Sequence, residues 1–338
     1  MGAESTGASR ARSSALMLAS MQLDDFLIAL IAIFAAAKLF GELAERIGQP
    51  AVLGEMVGGI VFGVSGLHLI DPHQQTIHFL SELGVILLLF LIGLETDLQK
   101  LISVGPSALA VAVVGVALPF GGGYAAGALL GYSVVVSVFL GAALTATSVG
   151  ITARVLSDLG HLRDDESQVV LGAAVIDDIV GLILLTVVSA LASGAALSVG
   201  AVAWITTVAF GFVAIAIVLG SLLAPRLIVL ISRLRVSKAL FFASVMFALT
   251  LAVVAARVGS ALIIGAFAAG LVLARTEKGH QIAREVHDIA QFFIPIFFVS
   301  VGAAVDLRSL NPLVPETRQF LIVGLILTII AIVGKVAS

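Results

Sequence analysis

The sequence predicts an all-α polytopic membrane protein, on the basis of three observations. Hydrophobic residues make up 60% of the 338 residues and charged residues 12%, against about 45–50% and about 25% in soluble domains. The apolar residues come in blocks of roughly twenty, the length that crosses about 30 Å of hydrocarbon. These blocks are unbroken, unlike the alternating pattern of a membrane β-barrel.

Breaks at glycine, proline and charged residues divide the apolar sequence into candidate spans. Eleven are predicted, near 24–42, 51–69, 78–95, 105–128, 132–156, 167–192, 198–220, 238–257, 259–275, 289–306 and 318–338. A short helix near 225–235 is expected to continue the seventh span, and the segment 275–289 is expected to form a separate amphipathic helix. The polar segment 1–21 lacks the apolar core of a signal peptide, which predicts a disordered tail or a later start at Met17 or Met21.

Basic residues predict the orientation, because Lys and Arg near span ends are retained on the cytoplasmic side. Eleven lie in connections after odd-numbered spans and five on the opposite side, which predicts an amino terminus outside the cell. A net charge of −3 without a basic run argues against a nucleic-acid partner. The chain has no cysteine, which excludes thiolate chemistry. No phosphate-binding loop or nucleophile–base pair is recognisable, so neither an enzyme nor a cofactor is predicted.

The sequence also contains an internal repeat. ERIGQPAVLGEMVGGIVFG (45–63) lies over 256–274 at an offset of 211, and FLIGLETDL (90–98) lies over 299–307 at an offset of 209. The first unit begins at the first span and the second at the eighth, an odd displacement, so the two units are predicted to cross the membrane in opposite senses. Inverted repeats are typical of secondary transporters, whose sites lie near the midplane where broken helices meet.

The repeat predicts the domain organisation. We expect a polar tail over 1–21, a first repeat of six helices over 22–192, a linker helix region over 193–237 and a second repeat over 238–338. Counterparts of the fifth and sixth helices of the first repeat would lie beyond Ser338. The second repeat is therefore expected to lack its last two helices, as in a fragment.

Two adjacent acidic residues, Asp177 and Asp178, lie about ten residues from either end of the sixth span. A charge at this depth costs about 2.5–3.5 kcal/mol, so both are functional candidates. Neighbouring helical residues point about 100° apart, and each carboxylate is therefore expected to have its own partner. Burial and mutual repulsion favour the protonated form of at least one carboxylate, as exchange of a proton for a cation requires. The alternative is a structural ion pair between helices.

Small polar residues interrupt the fifth span. Thr145, Thr147, Ser148 and Gly150 occur within six residues, and such residues allow a membrane helix to open and expose backbone carbonyls to an ion. The alternative is a contact between helices through small residues. The neighbouring aspartate span favours the opened helix.

Other polar residues have weaker claims to function. Lys335 in the last span is expected to face the core and neutralise an aspartate, unless its ammonium extends to the membrane surface. Glu55 in the second span is an accessory candidate for a proton or access path, or it makes a buried hydrogen bond. The acidic cluster Asp164, Asp165 and Glu166 is expected to be a solvated loop.

Several motifs together resemble the monovalent cation:proton antiporter-2 family. They are GEMVGGIVFGVSGL (54–67), LLLFLIGLETDL (87–98), ALTATSVG (143–150) and the aspartate pair. The resemblance covers about residues 24–338 and implies an inverted-repeat fold with crossed, partly unwound helices. It also implies a core domain that moves against a homodimerisation domain and exposes one ion site to each side in turn.

The same resemblance implies roles for individual residues. Asp178 would carry the cation or proton, and Asp177 would pair with Lys335. The first crossed helix would contain Thr145, Thr147 and Ser148. Family members with paired aspartates resemble electrogenic sodium/proton exchangers, whereas potassium-efflux members usually have glutamine at the first aspartate, so Asp177 favours sodium.

The resulting expectation is a secondary transporter in the cell membrane that exchanges Na⁺, or Li⁺, for H⁺ by alternating access. Asp177 and Asp178 are the expected Na⁺ ligands, and membrane lipid and a second copy of the chain are the expected partners. Two alternatives stay open: K⁺/H⁺ exchange, and a non-transporting membrane subunit or sensor that retains the fold.

Overall fold

The computed structural model describes residues 3–192, 199–232, 236, 238–310 and 315–338. In these ranges the chain consists of α-helices and one 3₁₀ helix at Leu307–Leu310, without a strand, which confirms the all-α class. The helices are α1 (Ala3–Arg46), α2 (Ala51–Phe62), α3 (Gln75–Glu95), α4 (Leu98–Ser103), α5 (Gly105–Leu129), α6 (Val134–Thr145), α7 (Val149–Asp158), α8 (Asp165–Ala192), α9 (Val199–Ser232), α10 (Ala239–Arg257), α11 (Leu262–Ala274), α12 (Gly279–Ala303) and α13 (Pro315–Val336).

The described helices account for the predicted spans. Eight segments are long and apolar enough to cross a membrane, and one of them, Val134–Asp158, contains both α6 and α7. Three further apolar helices are shorter: α2, α11 and the Phe320–Val336 part of α13. Together these segments correspond to the eleven predicted spans and confirm a multi-pass membrane protein.

One expected boundary is absent. The amphipathic segment 275–289 and the tenth span were expected to be separate, but α12 runs continuously through both. Apolar residues at four-residue spacing explain this continuity, because they extend one buried stripe along the helix. Each of Ile282, Val286, Ala290 and Ile294 is at most 1% exposed.

Three other helices differ in length from the prediction. Helix α9 passes through Pro225 and joins the seventh span to part of the short helix expected near 225–235. Of the predicted linker, residues 193–198, 233–235 and 237 lie outside the described residues. Helix α1 begins at Ala3, so the expected tail is helical, in keeping with the high helix propensity of its alanines and leucines. Helix α2 ends at Phe62, before Gly63 and Gly66.

The chain divides into two compact units, which are described separately. The first comprises Met1–Gly84 and Phe292–Arg308. Its core contains Ile33, Ile77 and Ile296, each with no exposed surface. It therefore combines α1, α2 and the beginning of α3 with the later half of α12.

The second unit comprises Val85–Gln291 and Ser309–Ser338 and contains the aspartate helix α8. Helix α8 packs against α5, α6 and α7, and α13 packs against α5 and α6. Gly334 of α13 lies against Pro119 of α5, where an added Cβ would come within 3.0 Å of the proline ring. This packing brings the end of α13 close to the middle of α8.

The sequence repeat is accompanied by a repeat of local geometry. Helices α1 and α10 end at Arg46 and Arg257, and two residues later Gly48 and Gly259 have φ of +75° and +88°. Left-handed backbone favours glycine, so the offset of 211 preserves a turn that depends on glycine.

Tight helix crossings recur at the same spacing. A Cβ at Gly59 would overlap α12 at Val299 and Gly302, and a Cβ at Gly270 would overlap α3 at Phe90 and Gly93. Small residues allow membrane helices to approach this closely. In each unit, therefore, a helix from one predicted repeat packs on a helix from the other. The domain boundaries themselves stay a prediction.

Candidate ion site

The fifth predicted span is interrupted at its small polar residues. Helix α6 ends at Thr145, Ala146 is extended with φ −60° and ψ 113°, and α7 begins at Val149. The interruption leaves carbonyl groups at the end of α6 and N–H groups at the start of α7 without helical partners. The predicted opening of this helix is confirmed.

Hydroxyl groups satisfy part of the exposed backbone. Thr145 Oγ1 donates to the Ala142 carbonyl at 2.7 Å, and Ser148 Oγ accepts a hydrogen bond from the Ile151 N–H at 3.3 Å as the N-cap of α7. Caps of this kind stabilise a helix start by about 0.5–2 kcal/mol. Thr145 and Ser148 therefore stabilise the two helix ends, and neither makes a hydrogen bond with Asp177 or Asp178 in the described part of the chain.

An ion pair joins α8 to α13. Lys335 Nζ lies 3.0 Å from Asp177 Oδ2, and the side chains are 30% and 7% exposed. Thr147 Oγ1 lies 3.1 Å from the same carboxylate oxygen and 3.2 Å from the Thr145 carbonyl, so its single proton can be donated to either acceptor. The expected pairing of Asp177 with Lys335 is confirmed.

The two aspartates have different surroundings. Asp177 is 8% exposed, and its Oδ1 is buried without a hydrogen-bond partner in the described part of the chain. Asp178 is half-buried and makes no hydrogen bond or ion pair with any described residue. One carboxylate is therefore held by a cation and a hydroxyl, while its neighbour has no such partner.

A cavity of about 490 Å³ lies beside Asp177 and Lys335. Its walls are mostly apolar side chains of α5 and α8, and Thr147, Thr152 and Glu166 also line it. Sequence reasoning missed Thr152 and treated Glu166 only as part of a solvated loop. A signal was present for Glu166, because residues eleven apart are about three turns apart on one helix face, and Asp177 follows at that spacing.

Glu55 is not among the residues that line this cavity. It lies on α2 in the first unit and is 5% exposed. Next to it, a Cβ at Gly54 would overlap the Phe40 carbonyl of α1, which shows how tightly this helix is packed. Its accessory role stays a prediction.

The chain is similar in sequence to known membrane transporters. The family model described as "Sodium/hydrogen exchanger, transmembrane" matches residues 27–338. The high-affinity Na⁺/H⁺ antiporter NhaS3 of Synechocystis is 40% identical over 95% of this chain and 77% of its own length. The Na⁺/H⁺-K⁺ antiporter GerN of Bacillus cereus is 38% identical over 92% of this chain and 78% of its own length.

The fold has a match among solved structures. The sodium proton antiporter MjNhaP1 of Methanocaldococcus jannaschii superposes with a TM-score of 0.66 at 16% sequence identity, covering 92% of this chain and 77% of that one. At this identity the match concerns the fold alone, and it confirms the predicted antiporter architecture. The match of the family model over nearly the whole chain, with the close relatives, shows that the chain belongs to the sodium/hydrogen exchanger family.

Proposed function

We propose that this protein exchanges Na⁺ for H⁺ across a membrane by alternating access, with Asp177, Asp178 and Lys335 as the ion- and proton-binding residues. The observation that carries the proposal is the partly buried Asp177–Lys335 ion pair, next to an aspartate without a described partner and a broken helix. The similarity to relatives named as Na⁺/H⁺ antiporters supports the choice of sodium.

The chemistry depends on competition between protons and a cation. Asp178 has no partner among the described residues, so its carboxylate is available to bind either a proton or a sodium ion. The carboxylate of Asp177 is shared with the Lys335 ammonium, and an incoming cation competes with that ammonium. Carbonyls at the end of α6 provide further oxygen atoms, and the negative end of the helix dipole favours a cation there.

The charge balance depends on how many protons leave the cluster for each sodium ion that enters. If two protons leave the cluster for each sodium ion that enters, each cycle moves one net charge. Moving one charge through 100 mV changes the free energy by about 2.3 kcal/mol. We therefore propose electrogenic exchange, and an imposed voltage should change the transport rate.

Sealed vesicles with an imposed proton gradient provide the test. Sodium, lithium or potassium is added outside the vesicles, and the internal pH is followed with a trapped dye. We expect sodium and lithium to collapse the gradient in vesicles containing the unaltered protein, and no collapse with Asp178→Asn. A gradient that survives sodium with both proteins, or collapses equally with both, would contradict the proposal.

A second candidate is exchange of K⁺ for H⁺. The observation that favours it is the 38% identity to a relative whose name includes both sodium and potassium. Competition separates the two candidates, because unlabelled potassium in excess should displace radioactive sodium only if both ions use the same site.

Orientation and assembly complete the proposal. Lys and Arg are in excess in the connections after odd-numbered spans, one of which is the α7–α8 loop. This excess supports a cytoplasmic location for the membrane face that carries these connections. The amino terminus would then lie outside. The resemblance to the antiporter family supports a homodimer that contacts membrane lipid.

A further inference from the structure

The cavity beside Asp177 has a second carboxylate at its exposed end. Glu166 is exposed in the first turn of α8, whereas Asp177 is buried, and both line the same cavity. The two residues are eleven positions apart, about 16 Å along a helix axis and within about 20° of the same face. One helix face therefore carries a carboxylate at each end of the cavity.

The wall between these carboxylates is apolar. Val169, Val170 and Ala173 line the cavity between them, and Val170 is 40% exposed. Apolar walls have a low dielectric constant and concentrate the electric field of a charge at the mouth of a cleft. A negative charge there raises the local concentration of cations.

Glu166 differs from the two acidic residues that precede it. Asp164 Oδ2 contacts His161 Nδ1 at 2.7 Å, and Asp165 Oδ1 accepts a hydrogen bond from Lys100 Nζ at 2.9 Å. Glu166 makes no hydrogen bond or ion pair with any residue that the structure describes. Of the three carboxylates, only Glu166 lines the cavity, and its charge is not neutralised by a contact.

We propose that Glu166 is a capture residue, which collects cations at the mouth of the cavity and so lowers the KM for sodium on that side of the membrane. The inference rests on the proposed function and extends it from the buried site to the path that leads there. Glu166 does not take part in the exchange at Asp177 and Asp178. It therefore affects how readily a cation arrives and leaves the maximum rate unchanged.

Transport kinetics of Glu166→Gln test this role. With sodium supplied only at the face that carries the α7–α8 loop, we expect the KM to rise about tenfold at low ionic strength, the lower end of what charged clefts supply. The KM at the opposite face should not change. At about 1 M of an inert salt the Debye length falls to about 3 Å, and the difference in KM should nearly disappear.

Asp164→Asn is the matched control, because it removes the same charge two residues away and outside the cavity lining. We expect it to leave the KM at the unaltered value on both faces. An equal rise in both variants would overturn the capture role and indicate a general surface-charge effect. An unchanged KM in Glu166→Gln would overturn it as well, while transport by the unaltered protein would still support the proposed function.

A second measurement does not depend on transport. The chain has no cysteine, so Val170→Cys introduces a single thiol into the cavity wall. The rates of its modification by a trimethylammonium and by a sulfonate methanethiosulfonate reagent report the local potential. We expect the cation-to-anion rate ratio to fall severalfold when Glu166→Gln is added and to stay constant when Asp164→Asn is added. An unchanged ratio with Glu166→Gln would overturn the inference whether or not the protein transports sodium.

Discussion

Two regions of the second unit use small residues in opposite ways: one is a close helix crossing, and the other is a cavity. At the crossing of α3 and α11, Gly93 and Gly270 bring two backbones so close that a Cβ on either glycine would overlap the other helix. Around Asp177, small residues such as Gly115 instead line a cavity with a lysine, two threonines and two carboxylates. The glycines allow close packing in the first region, whereas the second contains an open cavity with mostly apolar walls and a few charged and hydroxyl groups.

The two regions differ in how they are stabilised, because only the second contains buried charges. Lipid provides no hydrophobic driving force between helices, so the glycine crossing depends on van der Waals packing over a close contact. The buried charges need compensation, since a charge at bilayer depth costs about 2.5–3.5 kcal/mol. The Asp177–Lys335 ion pair and the Thr147 hydroxyl provide that compensation at one carboxylate only. We therefore expect substitutions in the first region to affect stability and those in the second to affect transport.

The largest expected effect is on transport. Asp178→Asn should reduce sodium-driven proton movement at least about 100-fold, since an amide cannot alternate between a proton and a cation. The melting temperature of this variant in detergent should stay near that of the unaltered protein, because Asp178 makes no hydrogen bond or ion pair with any described residue. Asp71→Asn, an exposed loop change, is the control that should alter neither quantity. A melting temperature lowered as far as that of a core variant would assign Asp178 a structural role.

The opposite pattern is expected at the glycine crossing. Gly270→Leu should lower the free energy of unfolding by about 3 kcal/mol, because overpacking displaces helices and here the added atoms meet the backbone of α3. Gly211→Leu on α9 is the control, since no described residue outside the adjoining turns of its own helix has an atom within 4 Å of a Cβ there. Thermal unfolding in detergent measures both variants. Equal stability of the two would contradict the close approach of α3 and α11.

Lys335→Ala is expected to affect both stability and transport. It leaves Asp177 buried without its cation, and we expect a loss of about 2 kcal/mol, less than the ~3–5 kcal/mol of a fully buried pair, because Lys335 is 30% exposed. The voltage dependence of the transport rate should also change. Lys335→Arg, which keeps the charge, should retain most of the stability. If Lys335→Ala unfolds at the same temperature as the unaltered protein, the ion pair does not stabilise the fold.

The smallest expected effect belongs to the hydroxyl at the helix break. Thr147→Val removes the hydrogen bond to Asp177 and should cost about 1 kcal/mol, the usual net contribution of one hydrogen bond. Thr250→Val is the control, because Thr250 is exposed and donates only to a carbonyl of its own helix. The two melting curves should differ by a few degrees. Identical shifts would indicate that the contact with Asp177 adds no stability.

Local features of the structure could be predicted from the sequence. The break between α6 and α7 lies where hydroxyls and glycine interrupt an apolar run, and the left-handed turn at Gly48 recurs at Gly259. Both depend on residues close together in the chain. The predicted boundary inside α12 is wrong for a related reason: the polarity changes there, but the helix continues because its buried apolar stripe continues.

The sequence by itself determined the membrane class, the helices, the depth of the aspartates and the position of the broken helix, because these follow from hydropathy and from backbone preferences over a few residues. The tertiary structure alone decided that Thr147 contacts Asp177 and that Asp178 makes no hydrogen bond or ion pair with a described residue. It also decided that Glu166 lines the same cavity as Asp177. Such contacts depend on how each helix is rotated and on which distant helix packs beside it. Lys335 lies 158 residues beyond Asp177, and no local pattern of residues specifies which face of α8 it meets.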